Sequence, residues 1–153
     1  MEVYLVQHGE SKPESEDPKR PLTDKGRGEV EYVALHSAAL GLQVTQIFHS
    51  SRLRAKQTAE IFAQHLVPAP HVMEQKVLGP SDDPYETKQL IQREEKSLML
   101  VGHLPHLSRL ASLLILGDPG KEVVRLSMGG VVCLGSSDDS WLVDWSIIPK
   151  IVR

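Results

Sequence analysis

Three apolar, β-rich runs, Met1–Val6, Val44–Phe48 and Ser97–Val101, each lead straight into polar chemistry: Gln7-His8-Gly9-Glu10, His49-Ser50-Ser51 and Gly102-His103. Between them lie segments with helical signals. Thr23 is a fitting N-cap for a helix running to about Leu40, stopped by Gly41, with Val30, Val33, Ala34, Ser37 and Leu40 at helical spacing. Arg54–Leu66 reads as a second helix, ended by Pro68 and Pro70, and Tyr85–Arg93 as a third. Leu104–Leu116 reads as a fourth, ended by Gly117-Asp118-Pro119-Gly120. His71–Leu78 holds a weaker strand, and Gly79–Pro84 is a loop. The last third changes character: Val123–Leu126, Val131–Leu134 and Trp141–Ile148 are short runs between Gly and Ser/Asp clusters, as in an antiparallel tail. Strands alternating with helices, followed by a β-rich end, predict an α/β fold with a mostly parallel central sheet. No repeat, coiled coil or linker interrupts the pattern, and 153 residues suit one domain.

In such sheets ligands bind at the C-terminal ends of the strands, which is where the polar segments fall. Composition narrows the ligand. Hydrophobic residues make up 41% and charged residues 24%, so the chain is an ordinary globular one. A net charge of −3 and the lack of any long Lys/Arg block argue against a nucleic-acid partner. Arg20, Arg52 and Arg54 nevertheless stand beside the strand-end segments, an arrangement suited to a small anion such as phosphate. Cys133 is the single cysteine, so no intrachain disulfide forms, and it reads as a small core residue. The N-terminus carries no signal-peptide pattern. The apolar stretch Leu107–Leu116 is broken by Ser108, Arg109 and Ser112 and is too short for a bilayer. The expectation is a cytoplasmic protein with no membrane partner.

His8 closes a strand and precedes a glycine. An imidazole there can attack phosphorus through one ring nitrogen if a backbone carbonyl holds the other. Arg54 lies near a helix start, where a guanidinium and backbone donors together match phosphate oxygens. His103, between Gly102 and Leu104-Pro105, repeats the strand-end arrangement, whereas Lys56 reads as a solvated helix residue. No Walker-type loop or dinucleotide fingerprint is present. His103 and His106 are spaced like metal ligands on a helix, but no cysteine or carboxylate cluster completes a set, and no metal or other cofactor is expected.

The segments Gln7-His8-Gly9-Glu10, Arg20-Pro21-Leu22-Thr23, Ser51-Arg52-Leu53-Arg54-Ala55-Lys56-Gln57-Thr58 and Gly102-His103-Leu104-Pro105 together resemble the histidine phosphatase superfamily. Within it, the short chain and the Arg-Pro-Leu-Thr and His-Leu-Pro elements resemble the SixA-type phosphohistidine phosphatases. The resemblance implies a three-layer α/β/α sandwich and a metal-independent phosphatase. It makes His8 the nucleophile that carries a transient phosphoryl group, and His103 the stabiliser of that group in transfer. Arg54 and Arg20 become the arginines that grip phosphate, with Gln7 and Gly9 beside them in the substrate pocket. The implied partner is a protein bearing phosphohistidine.

Gln7 departs from the pattern, because the family hallmark is Arg-His-Gly. A charge-assisted hydrogen bond contributes roughly 1.5–3 kcal/mol and a neutral one roughly 0.5–1.5 kcal/mol, so glutamine gives a weaker pocket. The general acid is a second departure. Glu10, Asp82 and Asp83 are its candidates, and none sits in a recognisable motif. Two other readings therefore stand beside the phosphohistidine phosphatase: a phosphate- or phosphoprotein-binding module without turnover, and a phosphatase of small phosphoesters. His8 must be neutral to attack while His103 helps most when charged, so a bell-shaped pH profile with limbs around roughly 6.5 is expected.

Overall fold

The computed structural model describes residues 1–138 and 140–152. In β1 (Glu2–Gln7) the apolar side chains are buried on both faces: Val3 and Leu5 enter one hydrophobic cluster, Tyr4 and Val6 another. A strand with no solvent face needs helices above and below it. They are supplied by α1 (Asp24–Ala39) and α2 (Leu53–His65) on the Tyr4/Val6 side, and by α3 (Pro84–Gln92) and α4 (His106–Leu116) on the Val3/Leu5 side. The result is the expected three-layer α/β/α arrangement.

The central sheet has six strands in the order β3-β2-β4-β1-β5-β6, with β2 at Gln46–His49, β3 at His71–Glu74, β4 at Leu98–Gly102, β5 at Val131–Ser137 and β6 at Ser140–Ile147. The first four of these neighbours run parallel, while β5 and β6 add antiparallel to the far edge of β1. The register aligns Gln7 with Gly102 and His49 with Val101, so the ends of β1, β4 and β2 meet along one edge. Helix boundaries follow their local chemistry. The Thr23 hydroxyl accepts from Gly26 N at 2.9 Å at the start of α1, and Gly117 closes α4 in the left-handed conformation at φ +76°.

Three expectations need correction. His71–Leu78 is not one strand: β3 ends at Glu74, and a 3₁₀ turn over Lys76–Leu78 follows. All four residues of this edge strand are exposed, whereas Leu78 is fully buried, and its burial turns the chain into the α3/α4 layer. Val123–Leu126 forms no strand. Val124 and Leu126 are buried as a period of two demands, but in the cluster on the Val3/Leu5 face, so the segment covers a face of the sheet instead of adding to its edge. Helix α4 begins at His106 rather than Leu104, because Leu104-Pro105 makes the turn out of β4. A short helix α5 (Pro149–Val152) ends the described chain and was not foreseen.

Candidate active site

His8 directly follows β1, and its backbone N–H donates to Gly102 O at 3.1 Å, carrying the β1–β4 ladder one residue further. Its ring Nδ1 lies 2.7 Å from Gly9 O. A carbonyl only accepts, so Nδ1 carries the proton and Nε2 keeps a free lone pair. Glycine is required next in the chain. A Cβ on Gly9 would come within 2.8 Å of Val30 Cγ2 and 3.1 Å of Gly26 O, and one on Gly26 would reach 2.2 Å from Glu10 O. These two glycines let the start of α1 press against the loop that orients the histidine. Gly9 N also donates to Thr58 Oγ1 at 3.1 Å, and that hydroxyl donates to Arg54 O at 2.8 Å, so the loop is tied to the first turn of α2.

His103 leaves β4 as its neighbour. The two imidazoles stand 4.9 Å apart between ring centroids, inclined by 54°. His103 Nε2 is 2.6 Å from Ser50 Oγ, and Ser50 Oγ accepts from Arg52 N at 3.3 Å. With that N–H accepted, the serine proton is free to donate to Nε2, which assigns the His103 proton to Nδ1. Ser50 is fully buried at the end of β2. Its place in the site was not legible in the string, because only the β2–β4 pairing brings it to His103. Thr58 was missed for the same reason.

Arg54 projects from the first turn of α2, whose start has no side-chain cap, and its Nε is buried without an intrachain partner. Arg20, at φ +50°, is held by donating from Nε to Lys12 O at 3.1 Å and from Nη2 to Ser11 Oγ at 3.2 Å. Together with Lys19 and Arg52, these arginines line an open cleft of about 620 Å³. The structure thus brings His8, Gly9, His103, Arg54 and Arg20 into one region. Gln7 is pinned through its backbone, its carbonyl accepting from Gly129 N at 2.8 Å, and its side-chain amide bonds to no described residue.

The electrostatics revise one expectation. Burial, then the fields of Arg54 and Arg20, lower the His8 pKa to about 4, although the Gly9 carbonyl works the other way. Burial first, then His8, Arg54, Arg52 and His106, lower that of His103 to about 3. Both rings are therefore neutral at neutral pH with the pocket free of anion, and a charged His103 is not the resting state. Burial also lowers the Arg54 pKa from its very high ordinary value, with Arg20 and Arg52 adding to it.

The candidate acids are each engaged at a helix cap or a turn. Glu10 Oε2 accepts from the Thr23 hydroxyl at 2.6 Å, Asp82 Oδ2 from Gly79 N at 2.7 Å, and Asp83 caps α3 by accepting from Tyr85 N at 2.9 Å. None of the three is bonded to His8 or His103. Asp82 does line a smaller cleft with Ser51, Arg52 and Lys76. His106 does not share a ligand set with His103. It starts α4 with Nε2 2.7 Å from Thr87 Oγ1, while His103 engages Ser50. Among the described residues no group of three His, Cys, Asp or Glu side chains converges as a metal site would require. Cys133 is a core residue, its thiol pushed up to about 12, chiefly by burial.

A model of the histidine phosphatase superfamily (branch 1) matches residues 3–76. A Picosynechococcus protein of uncharacterized function is 35% identical over 144 residues, covering 89% of this chain and 86% of that one. The chain belongs to the histidine phosphatase superfamily. The mitochondrial serine/threonine-protein phosphatase PGAM5 of Homo sapiens is 37% identical over 65 residues, 42% of this chain and 22% of that protein. Among solved structures, the protein histidine phosphatase SixA complexed with tungstate superposes with a TM-score of 0.88 at 22% identity, covering all of both chains. The α-ribazole phosphatase of Shigella flexneri superposes with a TM-score of 0.73 at 15% identity, over 94% of each chain. At these identities the structural likeness speaks for the fold alone, and the superfamily contains phosphatases and mutases. No helix among the described residues is long and apolar enough to cross a membrane.

Proposed function

We propose that the protein is a metal-independent phosphatase that takes the phosphoryl group from a phosphohistidine on another protein, through a covalent intermediate on His8. The observation that carries this is the His8 ring itself: Nδ1 is tied to Gly9 O, leaving Nε2 bare, and the His103 ring stands beside it with centroids 4.9 Å apart. In the first step Nε2 attacks phosphorus as the phosphorus–nitrogen bond breaks, and the leaving ring, protonated on its far nitrogen, departs as neutral imidazole. Arg54, Arg20 and the Nδ1–H of His103 offer donors to the phosphoryl oxygens. In the second step water attacks the same phosphorus and returns His8 to its neutral form, with inorganic phosphate released.

Two features favour phosphohistidine over a phosphoester. An alkoxide leaving group needs a proton in the transition state, and the carboxylates Glu10, Asp82 and Asp83 are engaged with the Thr23 hydroxyl, Gly79 N and Tyr85 N rather than with either histidine. An imidazole leaves with far less proton help. The cleft is also open, suited to a side chain presented by a protein surface. The full-length likeness to SixA agrees with this reading.

The test is hydrolysis of a phosphohistidine-bearing protein by wild type and His8→Ala in parallel, with rapid-quench trapping of radioactive phosphate on the enzyme. Turnover should fall on the order of a thousandfold or more in a variant of unchanged fold, with the label lost as well. A folded His8→Ala protein at near-wild-type rate refutes the mechanism. Phosphate binding without turnover in wild type would make the chain a binding module instead, and a clear preference for a small phosphoester would replace the substrate.

A further inference from the structure

From the charges around the cleft we infer that the rim is a docking surface for the acidic face of a folded protein, with the phosphohistidine standing among carboxylates. This rests on the proposed function and extends it to the surroundings of the target residue. Lys19, Arg52 and Lys76 are exposed and, like most lysines and arginines among the described residues, have no carboxylate within ion-pair distance. What sets them apart is their place, around two clefts that share Ser51 and Arg52. They are gathered where they repel one another. Lys19 and Arg52 line the larger cleft with Arg20 and Arg54, against Glu14 as its one acid. Arg52 and Lys76 line the smaller cleft beside it, where Asp82 is already bonded to Gly79 N.

A chain of net charge −3 that keeps unpaired cations at one mouth is built for an anionic partner. One phosphoryl group is served by Arg20 and Arg54 within the pocket, so Lys19, Arg52 and Lys76 address what surrounds it. Two exposed apolar residues adjoin the histidine pair: Leu104 follows His103, and Met128 is bridged to Gln7. An apolar contact beside a cationic rim fits a protein surface. A nucleic-acid groove would call for a longer stripe of cations, since such complexes use roughly six to ten phosphate contacts.

The experiment compares three probes: free phosphohistidine, a folded phosphohistidine-bearing protein with surface carboxylates around that residue, and the same protein with those carboxylates changed to amides. Wild type should show kcat/KM about tenfold or more higher on the acidic protein than on its amide form at low salt, and the preference should shrink as salt is raised. The Lys76→Gln variant, which changes a rim cation outside the larger cleft, should lose about threefold on the acidic protein and keep its rate on free phosphohistidine. Equal rates on the acidic and amide proteins, or an equal loss on free phosphohistidine, overturns the docking surface while leaving the phosphatase reading intact. Stronger inhibition by duplex RNA or by acidic vesicles than by the unphosphorylated acidic protein overturns it as well. Failure of wild type to hydrolyse any of the three probes defeats the phosphatase reading, and the docking surface with it.

Discussion

Ser50→Ala removes one atom from the site and tests how His103 is set. In wild type the buried Ser50 hydroxyl lies 2.6 Å from His103 Nε2, and His103 is itself buried, so water cannot easily replace the lost donor. Leaving a buried acceptor unsatisfied costs about 1–3 kcal/mol, and a tenfold change in rate corresponds to about 1.4 kcal/mol. If roughly half of that cost falls on ring orientation in the transition state, kcat/KM on phosphohistidine should fall by about three- to tenfold. The sign of a second effect also follows. Ser50 bonds to the neutral ring, so deleting it removes a force holding the His103 pKa down, and that pKa should rise from about 3. The assay is phosphate release from phosphohistidine across pH, with histidine NMR to follow the His103 ring. Ser112→Ala is the control, because it deletes a buried hydroxyl bonded to Ser108 O at 3.0 Å, in the middle of α4, and should leave the rate unchanged. A Ser50→Ala rate equal to wild type, with the His103 titration unmoved, would refute the orienting role.

Arg54→Ala should weaken phosphate binding more than Arg20→Ala, because Arg54 has a buried Nε with no partner whereas Arg20 is already committed to Lys12 O and Ser11. Gln7→Arg should tighten inhibition by vanadate, and competitive inhibition constants for the three variants check the ranking. Anion affinity should also depend on pH. In the free protein His8 and His103 titrate near about 4 and about 3. A bound dianion raises both values, so binding takes up protons and must tighten as pH falls toward those free-state values. Sulfate, whose charge is constant over this range, should inhibit more strongly at about pH 5 than at about pH 8, and His103→Gln should flatten the trend. Inhibition that weakens on acidification would contradict the neutral resting state of the two rings.

The alternation of strand and helix, the ends of α1 and α4, and the placing of His8, Arg54 and His103 at strand and helix ends all depend on neighbours close in sequence. Apolar period, capping residues and glycine stops act within a few positions, so the chain itself determines them. The tertiary structure decided what depends on which strands are adjacent. Ser50 meets His103 because β2 pairs with β4, and Thr58 meets Gly9 because α2 packs over the end of β1. Val123–Leu126 has the apolar alternation of a strand and becomes none, because Val124 and Leu126 are buried in the cluster on the Val3/Leu5 face of the sheet and not along its edge. Glu10, Asp82 and Asp83 look alike as candidate acids in the string, and only their hydrogen bonds reveal that each carries a capping or turn duty. The protonation of the histidines was decided last of all. Burial and the convergence of Arg20, Arg52 and Arg54 set it, and both arise only when segments distant in sequence close around the pocket.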